Sequence, residues 1–108
     1  MLQIHKTDLI EKAKSGEINK DEMDELIVHV TSCRACRGKL IRVGIKYVHY
    51  KKSDSQYKIV AIARDEKTYQ LSVIYRGLGS STVWSRTLRD FFTPVKRFQP
   101  RFKELNRC

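Results

Sequence analysis

Apolar positions recur with helical spacing in the first third of the chain and with strand-like alternation in the rest. Leu9, Ile10 and Ala13 belong to a short helical segment that Thr7 can cap and Gly16 can stop. Asn19 opens a second helix: Asn19 and Glu22 form a variant of the capping box, and Asp21, Glu22, Asp24 and Glu25 put favourable negative charge in its first turns. Met23, Leu26, Ile27 and Val30 then recur at i, i+3, i+4 and i+7, the stripe of an amphipathic helix with its apolar side in a core. Residues 37–45 predict a short further helix that packs this unit onto the rest of the chain. From Lys46 the period changes. "IKYVHY" and "YKIVAIAR" read as strands separated by the turn-forming "KKSDSQ", "YQLSVIYR" as a third strand after "RDEKT", and "TVWSRTL" as a fourth after the turn "GLGSS". "RDFFTPVKRF" predicts a helical turn before Pro94 and another short strand after it. Several short strands joined by tight loops predict a small barrel or half-barrel. The expected fold class is therefore α+β: a helical hairpin over residues 1–43, followed by a small, SH3-like β barrel or half-barrel over residues 44–108.

Composition narrows the class. A chain of 108 residues has room for one compact domain or two small modules that lean on each other. With 41% hydrophobic and 31% charged residues it reads as globular, not disordered. No apolar run approaches the roughly 18 residues of a membrane span, and the N-terminus lacks signal-peptide architecture, so a cytoplasmic protein with no membrane partner is expected. Three cysteines in a reducing compartment argue against a disulfide framework, and Cys108 suggests no role. Charge is uneven: residues 1–43 carry eight Lys/Arg against seven Asp/Glu, whereas residues 44–108 carry fourteen against five. The second part is where a polyanionic partner is expected.

The candidate metal ligands lie in "HVTSCRACRGKL". His29 and Cys33 are i and i+4, one above the other on one helix face, and Cys36 follows after Arg34-Ala35. An imidazole and two thiolates at this spacing can converge on one tetrahedral zinc ion. His5, ahead of the first helix, is the proposed fourth ligand, which would close the site and make the zinc structural. A thioredoxin-like redox pair would need a βαβ context that this acidic helix does not supply, and buried unligated cysteines are the remaining alternative. The stretch "HKTDLIEKAKSGEINKDEMDELIVHVTSCRACRGKL" resembles the N-terminal zinc-binding fold of bacterial zinc-containing anti-sigma factors, with Gly16-Glu17-Ile18 at the turn and His29, Cys33 and Cys36 on the ligand motif. The resemblance implies His5 as the early ligand, and a regulator that contacts a sigma factor or RNA polymerase.

The remainder resembles a family of short bacterial and phage β domains known mainly as a domain of unknown function. Matching residues include Tyr47, His49, Tyr50, Lys51, Tyr57, Ile62, Ala63, Thr68, Tyr75, Arg76, Trp84, Arg86, Phe91, Pro100, Arg101 and Phe102. Asp65, Lys67, Lys52 and Thr87 stand where that pattern has His, Glu, Gly and Pro. Read as chemistry, Tyr47, His49, Tyr75 and Trp84 can stack on a planar ring, and Lys51, Arg76, Arg86 and Arg101 can meet phosphate or carboxylate. Against this, Trp84, Phe91 and Phe102 could be core with arginine stems packed over them, which is the reading favoured for Phe91 and Phe102. No Walker loop, nucleophile elbow or paired carboxylates with a base point to an enzyme. The expected function is a zinc-stabilised binding protein for a nucleotide or nucleic acid, such as a nucleotide-sequestering or regulatory phage protein. The second expectation is the anti-sigma type of regulator, with a redox-sensing version in which Cys33 and Cys36 oxidise.

Overall fold

The structure is a computed structural model that describes residues 7–105, the side chains of residues 52–54 excepted. Helix α1 (Thr7–Ser15) buries Leu9, Ile10 and Ala13, with Asp8 in its first turn and Lys12 and Lys14 in its last, where each charge suits the helix dipole. Gly16 ends it at φ +82°, and the Glu17 N–H donates to the Lys12 carbonyl at 2.9 Å, the closing bond of a Schellman turn. Helix α2 (Lys20–Ser32) begins with the full capping box: Glu22 N–H donates to Asn19 Oδ1 at 2.8 Å, and Asn19 N–H to Glu22 Oε1 at 3.1 Å. Met23, Leu26 and Val30 are buried on its inner face. At Cys33 the backbone turns extended, and helix α3 (Arg34–Leu40) starts in a new direction, burying Cys36 and Leu40.

Glu22 also pairs with Lys12, which ties α1 to α2. The Lys12 ammonium, and then the Asn19 N–H, hold the Glu22 carboxyl below its ordinary value near 4.5. Such a group contributes stability that is complete above its unfolded pKa and is lost as pH falls through the lower folded value. The Glu22 hydrogen bond raises the Lys12 pKa above 10.5, so that partner's share persists to strongly basic pH. Glu22→Gln is expected to flatten the fall of stability on the acid side of about pH 4.5, read by denaturant titrations across pH. An unchanged acid limb would assign that fall to other carboxylates.

Five strands form one antiparallel sheet in the order β4-β3-β2-β1-β5: β1 (Lys46–His49), β2 (Lys52–Arg64), β3 (Leu71–Gly77), β4 (Val83–Thr87) and β5 (Phe102–Glu104). Directly opposed residues share a face, so register sorts the side chains. Tyr47, Tyr57, Ile59, Leu71, Val73, Tyr75 and Phe102 fall on the inner face. A bulge at Val60 shifts β2 by one residue, so Ile59 opposes Tyr75 and Ile62 opposes Val73. Thr87 caps the short helix α4 (Leu88–Phe92), accepting from Asp90 N–H at 3.1 Å, and α4 buries Leu88, Phe91 and Phe92. Phe91 stacks on Phe102 at 4.3 Å between ring centroids, with Tyr47 and Tyr75 edge-on to the pair. One core therefore takes side chains from α1, α2, α3, the sheet and α4.

The α+β class holds, and of the expected barrel or half-barrel the closed barrel is excluded: the sheet is open, with β4 and β5 as its two edges. Its inner face is closed off by helices packed against it, so the sheet can bury that face without curling shut. "KKSDSQ" is a turn only at its start, because β2 already begins at Lys52. After α4 there is only the bridge Lys96–Gln99, and the fifth strand comes later, at Phe102–Glu104. Among the described residues no helix is long and apolar enough to cross a membrane.

Candidate functional site

Between the β1–β2 turn and edge strand β4 the inner face opens into a cleft of about 220 Å³ lined by His49, Lys51, Tyr57, Tyr75, Trp84, Arg86 and Phe102. Pairing builds it: His49 opposes Phe102 across β1 and β5, and Tyr75 opposes Trp84 across β3 and β4. Tyr75 and Phe102 are buried and form the floor, whereas Trp84 is 53% exposed and presents an open ring. Arg86 is half-buried and held in place: its Nε donates to the Tyr75 hydroxyl at 3.2 Å, its Nη1 to Asp90 Oδ2 at 3.2 Å, and its carbon lies 5.8 Å from the Phe102 ring centroid. A guanidinium fixed in this way meets an anion with little side-chain entropy left to lose. His49 lies 4.7 Å from Tyr50 and 5.0 Å from Phe102, ring to ring. Its Nδ1 accepts from the Lys51 N–H at 3.1 Å, so the neutral ring carries its proton on Nε2. The cleft thus has an aromatic floor and wall with cationic groups from Lys51 and Arg86, an arrangement able to stack a planar ring and neutralise an attached anion.

Five of the eight expected ligand residues line this cleft: His49, Lys51, Tyr75, Trp84 and Arg86. Tyr47 is only 2% exposed and packs edge-on to Phe91 inside the core. Arg76 follows Tyr75 on β3 and so points to the other side of the sheet, exposed. Arg101 is half-buried outside the lining, where its carbonyl accepts from Tyr50 N–H at 3.0 Å. Phe91 and Phe102 are core, as expected, and Trp84 is not. Asp90 as the partner of Arg86 was missed, because the pair forms across the turn from β4 into α4 and no single helical or strand period displays it. Asp65, at a position where the related pattern has His, caps the β2–β3 turn by accepting from the Lys67 and Thr68 N–H groups at 2.8 and 2.9 Å. Those two N–H bonds, Thr68 first, hold its carboxyl below the ordinary value.

Apart from the cleft, the last turn of α2 and the first of α3 bring His29, Cys33 and Cys36 together, with their ligand atoms all within 4.8 Å of one another. His29 Nε2 lies 3.1 Å from Cys36 Sγ. Bonds of about 2.0–2.3 Å to a tetrahedral ion place such ligand atoms roughly 3.5–3.8 Å apart, so the donor set and spacing fit a metal ion with small adjustments. Hydrogen bonding from Cys36, its backbone N–H first, lowers the Cys33 thiol pKa and favours the thiolate that a metal requires. His5, the expected fourth ligand, and Cys108 lie outside the described residues.

Residues 45–104 match the family model described as "Protein of unknown function (DUF1653)". A crystal structure of a protein belonging to DUF1653 from Bordetella bronchiseptica is similar to the chain, with a TM-score of 0.51 and 28% identity over 65% of this chain and 94% of that one. Among curated proteins none matches. The matched segment holds the whole sheet from β1 to β5 and every residue of the aromatic cleft, while α1, α2, α3 and the His/Cys cluster precede it. By this match the chain belongs to the DUF1653 family.

Proposed function

We propose that this protein is a non-enzymatic binding protein whose cleft holds a phosphate-bearing planar ring, a nucleotide free or within a nucleic acid. Its helical unit is braced by zinc on His29, Cys33 and Cys36. The observation that carries the reading is the exposed Trp84 beside a fixed Arg86, on a floor of Tyr75 and Phe102 with Lys51 at the rim. Trp84 offers the stacking face, Arg86 and Lys51 the counter-charge, and His49 an Nε2 proton for a carbonyl or phosphate oxygen. No nucleophile with a base lies in the cleft, which suits retention of a ligand better than its conversion.

Trp84 is the chain's single tryptophan, so its fluorescence reports on the cleft directly. Titration with the common mononucleotides is expected to give a saturable quench, with a shallow dependence on salt. Lys51→Glu and Trp84→Ala should each weaken binding about tenfold or more, the latter followed by calorimetry because the reporter is gone. Absence of a quench at millimolar nucleotide, or undiminished binding by Trp84→Ala, would remove the cleft from consideration.

A further inference from the structure

The outer face of the sheet carries a row of cations that the cleft does not use. Lys46 on β1 is directly opposite Lys58 on β2, and Lys58 is directly opposite Arg76 on β3. Lys103 on β5 opposes Val48, one outer-face position along β1 from Lys46. All four side chains are exposed. Four of the five strands thus contribute a cation to one face, and the three in register span about 10 Å at the usual strand spacing. The ion pairs among the described residues lie elsewhere, at Lys12–Glu22, Lys14–Glu104, Arg86–Asp90 and Arg89–Asp24. The strand positions sharing this face from Gln56 onward include Ser72, Ser85 and Val83, and none is acidic. Like charges placed directly opposite each other destabilise a sheet, so the row costs the isolated protein stability that an acidic residue at Lys58 would restore.

We propose that this outer face is a docking surface for duplex nucleic acid, gripped through its phosphate backbone by Lys46, Lys58 and Arg76 with Lys103 at the flank. Charge complementarity selects a polyanion. A single strand would call for a run of exposed aromatic rings to stack on; the strand positions 46, 48, 56, 58, 72, 74, 76, 83, 85 and 103 hold none, and the exposed Phe98 and half-buried Tyr50 stand only at the flank, beside Val48 and Lys103. The face offers a row of cations and no helix to place in the major groove, so the contact is to phosphates and independent of sequence. Gln56, Ser72 and Ser85 add neutral donors of the kind that meet phosphate oxygens. The face is separate from the cleft, and the proposal stands whether or not the cleft holds a nucleotide.

The test is binding of the full chain to a short fluorescent DNA duplex of random sequence, measured by anisotropy at several salt concentrations. The wild type is expected to show a log–log salt slope near −3, about 0.9 for each of three or four phosphates neutralised. Lys58→Glu should lower affinity about tenfold or more and bring the slope toward zero by one to two units. The same variant should melt no lower than wild type, because it replaces two like-charge pairs by two attractive ones. It should also keep the Trp84 response to mononucleotide, which separates this surface from the cleft. Undiminished duplex binding by Lys58→Glu overturns the proposal. So does tighter binding to the matching single strand, binding to vesicles rich in anionic lipid but not to DNA, or no duplex binding by the wild type at low salt.

Discussion

With zinc held by His29, Cys33 and Cys36 as proposed, a strong chelator is expected to lower the melting temperature by more than about 10 °C, with loss of helical signal before loss of sheet signal. Three features set that scale. Cys36 is fully buried and belongs to the same core as Leu26, Val30 and Leu40, so its sulfur is not a surface ornament. The chain at Cys33 leaves one helix and enters another without a side-chain cap, which leaves the junction dependent on the group its side chains hold. Helix α3 has only seven residues, too few to persist without tertiary support. Cys33→Ser and Cys36→Ser should each lose stoichiometric zinc by elemental analysis, and His5→Ala should weaken retention if it supplies the fourth ligand. Cys108→Ser should change nothing. Retention should fall in acid, since a metal binds its ligands only in their deprotonated forms. Mild peroxide separates the structural role from a redox one: zinc retained at one equivalent excludes oxidation of Cys33 and Cys36 as a switch. Protein purified without any transition metal, and no less stable for it, would show that the cluster is ordinary packing.

The helices were legible because their signals are local. Asn19 and Glu22 meet across a single turn, Gly16 takes the left-handed conformation at the position its neighbours leave for it, and Met23, Leu26 and Val30 sit at helical spacing. His29, Cys33 and Cys36 were legible for the same reason, since one turn and its successor bring them together. Features that depend on pairing were not. Phe102–Glu104 is a strand because β1 offers it an edge, and three residues carry no period of their own. Lys52 begins a strand because β2 must reach back to His49, which outweighs the turn character of "KKSDSQ". Register also decides which aromatics are core: Tyr47 lies in mid-sheet beneath Phe91, while Trp84 lies on the edge strand in the open. One thing was readable and missed. Tyr75 and Arg76 are neighbours on a strand, so they cannot serve one face, and the basic residues divide into two sets accordingly. Arg86 belongs with the aromatic cleft, and Arg76 with Lys58 and Lys46 on the opposite side. The excess charge of the second part is therefore not one patch.

Gly16→Ala is expected to be the most damaging single methyl group in the protein, lowering the melting temperature by about 10 °C or more. Gly16 lies at φ +82°, where an L-residue pays roughly 1–2 kcal/mol. A Cβ there would also come within 2.8 Å of the Gln99 and Pro100 amide nitrogens and 3.0 Å of the Gln99 carbonyl carbon. Those are backbone atoms, in a hairpin closed by Val95 N–H to the Gln99 carbonyl at 3.0 Å and by Gln99 N–H to the Lys96 carbonyl at 2.9 Å. They have little freedom to retreat. The hairpin is bound to Gly16 itself, since the Phe98 N–H donates to the Gly16 carbonyl at 2.9 Å while Phe98 holds φ +65°. Pushing it away would break the contact by which the end of α1 meets the segment leading to Phe102 and the aromatic core. Gly44→Ala supplies the comparison: its φ is +94°, but nothing lies within 4 Å of the added Cβ. Gly44→Ala should therefore cost only the conformational part, a few degrees, and the difference between the two variants measures the contact. Equal losses would mean that the hairpin yields freely, and that the helical unit and the sheet are joined by the buried core and by side-chain links such as Lys14–Glu104 and Arg64 to the Thr31 carbonyl. An excess loss at Gly16 would make the α1 turn a further joint, so a disturbance at the helices that carry His29, Cys33 and Cys36 has a backbone route to Phe102 and the floor of the cleft.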